Sequence, residues 1–266
     1  MLITSTSNPQ IKEIRKLRER KARSASGMYY IEGLRIVGEA VDQGERIEHL
    51  IIAPELLISD YGQNLASQFR QNGGEVLEVS RQVFESFSLK EGPQGIAAVL
   101  KQKWTPLSSV MVSPGNCWVA LDSIADPGNL GTILRTSDST GCQGVILLDQ
   151  STDPYDPSCI RASMGALFNQ KLVKANFEEF FNWKHSINVP VVGTSDKAEQ
   201  NYHRYRFPSS LVLLMGSERQ GLQPHHFDLC DAVVRIPMMG ISDSLNLAVA
   251  TGVVLYEILN QKQEAE

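Results

Sequence analysis

Three short segments of this 266-residue chain combine residue types that can bind and orient a ligand. The first is Asp126-Pro127-Gly128-Asn129-Leu130-Gly131, with Arg135 further along the same stretch. Pro and Gly set a turn, and Asn129 is a candidate N-cap for the helix that follows. Backbone N–H groups at a helix start favour an anion such as phosphate. Arg135 sits in an otherwise small and apolar helix, where a guanidinium can grip a phosphate through two hydrogen bonds. An Arg paired with a surface carboxylate has the same spacing.

The second segment is Gly216-Ser217-Glu218-Arg219-Gln220-Gly221. Gly216 can let a ligand approach the backbone, and Gly221 can take positive φ. The segment lacks the Lys-Ser/Thr pair of a phosphate loop and holds Glu218 where a nucleophile elbow needs Ser. Glu218 reads equally as a capping carboxylate and as a functional one. The third segment runs from Ile236-Pro237-Met238 to Ser244-Leu245-Asn246. Ser244 is a candidate N-cap for the helix beyond, with Asn246 in its first turn. Taken alone, ordinary capping accounts for it. His225 and His226, after the second segment, read as loop or surface residues.

These segments lie at the ends of apolar runs of strand length. Such runs recur at 118–121, 145–148, 172–173, 189–192, 211–215 and 233–236, with helical stretches at 130–139, 158–168, 177–185 and 245–260 between them. Runs that are apolar on both faces and alternate with helices predict a parallel sheet covered on both sides. Ligands of such sheets bind in the loops at the carboxyl ends of the strands.

The first third alternates too. Helices are expected at 9–23 (Asn8 as N-cap, Pro9 at the first position), 34–41, 56–71 and 81–87 (Ser80 as N-cap), and strands at 28–31, 47–52, 76–79 and 96–100. The expected organisation is an α/β portion over 1–104, a Pro/Ser/Gly-rich linker over 105–116 and a larger α/β portion over 117–266.

Composition narrows the class. With 42% hydrophobic and 21% charged residues the chain reads as globular. No apolar run is long enough for a bilayer, and the opening residues show no signal-peptide pattern, so a cytoplasmic protein is expected. Cys117, Cys142, Cys159 and Cys230 form no Cys-x-x-Cys pair and have no His at zinc-finger spacing, so free thiols and no metal site are expected. The net charge of −5 argues against a generic nucleic-acid binder. Yet Lys12, Arg15, Lys16, Arg18, Arg20, Lys21 and Arg23 cluster against only Glu13 and Glu19. That run is either an RNA-facing patch or the solvated face of a helix.

Together, Asn129-x-Gly131-x-x-x-Arg135, Gly216-x-Glu218-x-x-Gly221-Leu222 and Ile236-Pro237-Met238 through Ser244-Leu245-Asn246 resemble the three signature motifs of the SpoU/TrmH-type RNA 2′-O-ribose methyltransferases of the SPOUT superfamily. Asp153-Pro154-Tyr155 through Arg161-Ala162-Ser163-Met164-Gly165-Ala166 resembles a loop and helix of that family. The N-terminal part resembles the ribosomal-protein-like substrate-binding domain of its ribosomal RNA members. One departure is Leu247-Ala248-Val249 after Asn246, where small polar residues are frequent. It is expected to alter helix packing rather than chemistry.

The resemblance implies a deep trefoil knot in the C-terminal α/β domain, which composition and periodicity do not reveal. It implies S-adenosylmethionine as cofactor, held by Gly216, Ile236 and Leu245, with Leu214 and Met238 as apolar walls and Thr194 as a further contact. It implies a homodimer in which Arg135 of one protomer faces the methyl donor of the other. The implied reaction is methyl transfer to a ribose 2′-hydroxyl of RNA, ribosomal RNA foremost. Arg135 would clamp a phosphate and stabilise the developing alkoxide, since a guanidinium stays protonated. Asn129, Ser244 and Asn246 would orient groups around it, and Glu218 would hold Arg135 or a loop. Lys12, Arg15, Lys16, Arg18 and Arg161 are the expected RNA contacts. A transfer RNA 2′-O-methyltransferase and a non-catalytic RNA-binding scaffold are the alternatives.

Overall fold

The structure, a computed structural model, describes residues 2–265. The chain divides into two compact units: residues up to Gln102 together with Tyr155–Phe168, and Lys103–Pro154 together with Asn169 onward.

The first unit contains β1 (Leu2–Ile3), α1 (Pro9–Lys16), α2 (Arg20–Ser26), β2 (Met28–Glu32), α3 (Leu34–Asp42), β3 (Ile47–Ile52), α4 (Asp60–Gln71), β4 (Val76–Val79), α5 (Arg81–Phe87) and β5 (Ile96–Lys101). Its sheet has the order β1-β4-β3-β5-β2, parallel from β1 to β3 and antiparallel from β3 to β2. Ile11, Ile14, Tyr30, Ile51, Phe84 and Val99 meet in one core. Two caps follow the expected chemistry. Asn8 accepts the Gln10 N–H ahead of Pro9, and Ser80 accepts the Val83 N–H.

The helix expected over 9–23 is two helices. The chain turns after Lys16, and the carbonyls of Leu17 and Arg18 at the break accept Arg23 Nη1 at 2.9 and 2.8 Å. Arg23 is therefore turned inward and only 1% exposed, although its neighbours in sequence suggested a solvated basic face. Its Nη2 donates to Asp156 Oδ2 at 3.1 Å. The strand β1 was not anticipated, because two residues carry no readable periodicity.

The second unit starts with 103–116, where the Pro/Ser/Gly-rich stretch packs: Val110 is buried in the unit's core, and the Thr105 N–H donates to Leu172 O at 2.7 Å. Then come β6 (Cys117–Asp122), α6 (Pro127–Ser139) and β7 (Gly144–Leu148). Next are α7 (Pro157–Ser163) and α8 (Ala166–Asn169), and after them β8 (Lys171–Ala175), α9 (Phe177–Ile187), β9 (Val191–Thr194), β10 (Gln200–Asn201), β11 (Leu211–Met215), α10 (Pro224–Phe227), β12 (Ala232–Arg235) and α11 (Leu247–Ala265). Every neighbouring pair in the sheet, ordered β10-β12-β9-β11-β6-β7-β8, is parallel. All residues of β6, β7 and β11 are buried, which is why they read as unbroken apolar runs. The chain builds outward from β6 through β7 and β8, then returns to the other side of β6. The carboxyl ends at that reversal are the expected place for a ligand.

The stretch 155–168 belongs with the first unit. The Tyr155 and Tyr29 rings meet at a 42° tilt with centroids 4.5 Å apart, and Asp156 caps α7 while taking Arg23. The single helix expected over 158–168 is interrupted, because Met164 and Gly165 take φ of 52° and 96°. A Cβ on Gly165 would press into the Glu39 carboxylate. The four cysteines are free thiols. Among the described residues no helix is long and apolar enough to cross a membrane.

Candidate active site

A cavity of about 1220 Å³ opens at the carboxyl ends of four strands. Ser123 enters it from the end of β6, Thr194 from β9, Met215 from β11 and Ile236 from beyond β12. The three segments singled out in the sequence line this one space, with Asn129 from the first, Gly216–Leu222 from the second, and Ile236, Met238, Ser244, Leu245 and Asn246 from the third.

Glu218 joins them. Its Oε2 accepts the Ala125 N–H at 3.1 Å, and its Oε1 accepts the Asp126 N–H at 3.1 Å and Asn129 Nδ2 at 3.3 Å. Burial alone would raise its pKa, but these donors outweigh it and hold the carboxyl below the ordinary value of 4.5. The anion expected at the start of α6 is thus met by the protein's own carboxylate. Asn129 Oδ1 accepts Asn246 Nδ2 at 2.9 Å, so one polar chain runs through all three segments.

Two caps differ from expectation. The N-cap of α6 is Asp126, whose Oδ1 accepts the Asn129 N–H at 2.6 Å. Pro127 at the first helical position was the signal for it. At α11, Asn246 takes the capping role by accepting the N–H groups of Ala248 and Val249 at 2.9 and 3.3 Å. Ser244 instead donates to Asp243 Oδ1 at 3.2 Å.

Gly216 lines the cavity, but its missing Cβ serves the loop. A Cβ there would collide with the backbone of Gly221 and Leu222, where Gly221 takes φ of 62° and donates its N–H to Ser217 O at 3.0 Å. Leu214 does not form a wall. It is fully buried in the sheet core, and Met215, which points to the other face of β11, lines the cavity instead. Thr194 is in the wall, with its hydroxyl 3.3 Å from Met215 Sδ.

Sequence reasoning missed Ser123, Ser195, Asp196, Lys197, Arg219 and Asp243, all of which line the cavity. Their signal was position, since each lies in a loop after a strand end. Carboxylates of Asp126, Asp196, Glu218 and Asp243 outnumber the cations Lys197 and Arg219. Arg135 is exposed on α6, outside this wall, and its guanidinium has no hydrogen-bond or ion-pair partner among the described residues. His225 is exposed as expected, but His226 is buried beside β6. Among the described residues no group of three His, Cys, Asp or Glu side chains could hold a metal ion.

The expected RNA contacts all lie in the first unit. Lys12 and Arg161 are exposed without partners among the described residues. Arg15 Nη2 donates to Ser86 Oγ at 2.8 Å, Arg18 Nη2 to Ser88 O at 2.8 Å, and Lys16 pairs with Glu13 at 2.7 Å.

Comparison with known proteins bears on both units. Residues 116–256 match the SpoU rRNA Methylase family, and residues 8–98 match the MRM3-like substrate binding domain. The chain is 31% identical over 271 residues to an uncharacterized tRNA/rRNA methyltransferase of Synechocystis, covering 99% of this chain and 95% of that protein. It is 29% identical over 252 residues to a 23S rRNA (uridine-2′-O)-methyltransferase of Streptomyces viridochromogenes, covering 92% and 87%. The crystal structure of an AdoMet-bound rRNA methyltransferase from Sinorhizobium meliloti superposes with a TM-score of 0.90 at 36% identity, covering 98% of this chain and 97% of that one.

Proposed function

The chain belongs to the SpoU rRNA methylase family, and on that premise we propose that it transfers a methyl group from S-adenosylmethionine, held in this cavity, to a ribose 2′-hydroxyl of ribosomal RNA. The observation that carries the reading is the convergence of the three motif segments on one cavity at the carboxyl ends of a parallel sheet.

The donor set fits the cofactor. Met215, Leu222, Ile236 and Met238 offer apolar walls for adenine. The excess of carboxylates favours a ligand carrying sulfonium and ammonium charge. When bound, the cofactor supplies a methyl group already activated by positive sulfur. Glu218 makes no contact with Arg135; its work is to hold the 125–129 turn. Asn129 and Asn246 carry that restraint across to α11. Ser244, at the cavity wall, is placed to orient an incoming hydroxyl.

A 2′-hydroxyl is a poor nucleophile, and negative charge grows on its oxygen as it attacks. Arg135 stabilises that charge and clamps the adjacent phosphate. Because Arg135 lies outside the wall of its own chain's cavity, it serves the cavity of a second copy. Support comes from the exposed apolar side chains Met239, Ile241, Val249 and Tyr256 on the third segment and α11, the helix that packs on α6. The knot belongs to the same reading: residues 236–246 form neither strand nor helix and share the cavity with the Gly216–Leu222 loop. We assign RNA holding to the first unit through Lys12, Arg15, Lys16, Arg18 and Arg161, and the cytoplasm as the compartment where ribosomal RNA is met.

The test is methyl transfer from labelled S-adenosylmethionine to purified ribosomal and transfer RNA. Label is expected in ribosomal RNA as a 2′-O-methyl nucleotide. Label only in transfer RNA would move the substrate, and cofactor binding without transfer to either RNA would support a scaffold.

A further inference from the structure

One deeply buried titratable side chain beside the cavity loops has no part in the chemistry above. His226 on α10 is 1% exposed. Its Nδ1 accepts the Gln223 backbone N–H at 2.9 Å, so the neutral ring carries its proton on Nε2. That nitrogen has no hydrogen-bond partner among the described residues and stands 3.6 Å from Oδ2 of Asp122, the buried last residue of β6. The other oxygen of Asp122 accepts the Ser123 hydroxyl at 3.0 Å. Ser123 lines the cavity in a left-handed conformation, φ 51°, which a non-glycine residue keeps only when its surroundings hold it there. Just beyond, the N–H groups of Ala125 and Asp126 hold Glu218.

The loops 122–126 and 216–226 are therefore joined by the Glu218 hydrogen bonds at the cavity and approach each other again on the buried side, where His226 faces Asp122. We propose that His226 and Asp122 are a positioning pair: the neutral imidazole, fixed by Gln223, keeps the Asp122 carboxylate and the Ser123 turn in the geometry that presents the Ala125 and Asp126 N–H groups to Glu218. The proposal rests on reading this cavity as the cofactor site.

Protonation breaks the anchor of the ring to Gln223. A proton on Nδ1 would face the Gln223 N–H with no acceptor between them, and the 223–226 turn must open. The charges facing the ring are Asp122 from β6, Asp149 beyond β7 and His225 on α10, while Phe177 of α9 meets it edge-on at 4.9 Å. Burial lowers the proton affinity of the ring, Asp122 and Asp149 raise it, and His225 lowers it, leaving the pKa below the ordinary 6.5. The folded ring thus binds its proton less tightly than the unfolded one. The neutral imidazole contributes fully above the ordinary histidine range, and its contribution is lost as pH falls through the depressed value.

Calorimetric titration of S-adenosylmethionine from about pH 5 to about pH 8 tests this. Wild-type affinity is expected to fall roughly tenfold on acidification. His226→Asn keeps an acceptor for Gln223 and does not titrate, so its affinity should be about threefold weaker at neutral pH and flat across the range. Asp122→Asn should move the acid limb to lower pH, because a carboxylate no longer favours the imidazolium. An acid limb in His226→Asn matching that of the wild type overturns the proposal. Ring ¹⁵N resonances of His226 in the wild-type protein need neither folding of a variant nor cofactor. Protonated Nε2 is expected, and protonated Nδ1 overturns the pair. A wild-type protein that binds no cofactor at any pH defeats the cofactor reading instead, and the tautomer still judges the pair.

Discussion

Arg23 in the first unit and Glu218 in the second are each held by two backbone groups. Arg23 donates to the carbonyls of Leu17 and Arg18, and Glu218 accepts the N–H groups of Ala125 and Asp126. Each has a side-chain partner as well, Asp156 for Arg23 and Asn129 for Glu218. The surroundings differ. Arg23 is shut in and closes the break between α1 and α2, so its hydrogen bonds end where they begin, in the stability of the unit. Glu218 stands at the wall of a cavity, and its partner Asn129 passes the restraint on to Asn246. A satisfied ion is a staple in one place and the frame of a site in the other. Position at the strand ends tells the two apart, and charge or hydrogen-bond count does not.

Arg135 is a third kind, a cation without a partner among the described residues, and the largest effect is expected there. Arg135→Ala should lower methyl transfer by about 10²–10³-fold with cofactor affinity unchanged, read by single-turnover kinetics and calorimetry. Full activity in that variant would remove Arg135 from the chemistry.

Next comes Arg23→Met, which leaves two carbonyls and the Asp156 carboxylate without their donor. A loss of about 3 kcal/mol is expected in chemical denaturation. Cofactor affinity of the folded protein should not change; a weakened affinity would mean that Arg23 is more than a staple. Glu218→Gln should do the reverse, weakening cofactor binding by roughly tenfold, about 1.4 kcal/mol, with a small change in Tm. Because the Glu218 carboxyl is held below its ordinary value, its contribution is present above that value and lost as pH falls through the depressed one. In the Gln variant that acid-dependent step in binding should be missing. The smallest effect is expected at Asn8→Ala, about 1 kcal/mol of stability from the lost cap of α1, with binding and transfer at wild-type levels.

Much of this molecule can be read along the chain. Runs apolar on both faces, such as β6, β7 and β11, fit only a sheet covered on both sides, and loops rich in Gly, Pro and Asn at their ends mark where a ligand sits. Those loops also carry the family motifs. Capping was legible where its rule was applied to Asn8-Pro9, and the same rule at Asp126-Pro127 names Asp126. Other features needed the folded chain. Asn129 meets Glu218 across 89 residues and Asn246 across 117, and Arg23 meets Asp156 across 133. Periodicity and propensity describe neighbours within a few positions. They say nothing of which distant partner turns Arg23 inward, buries His226 against Asp122, or leaves Met215 rather than Leu214 at the cavity wall. Those outcomes follow from register and packing between elements, which decide the distant groups that each side chain meets.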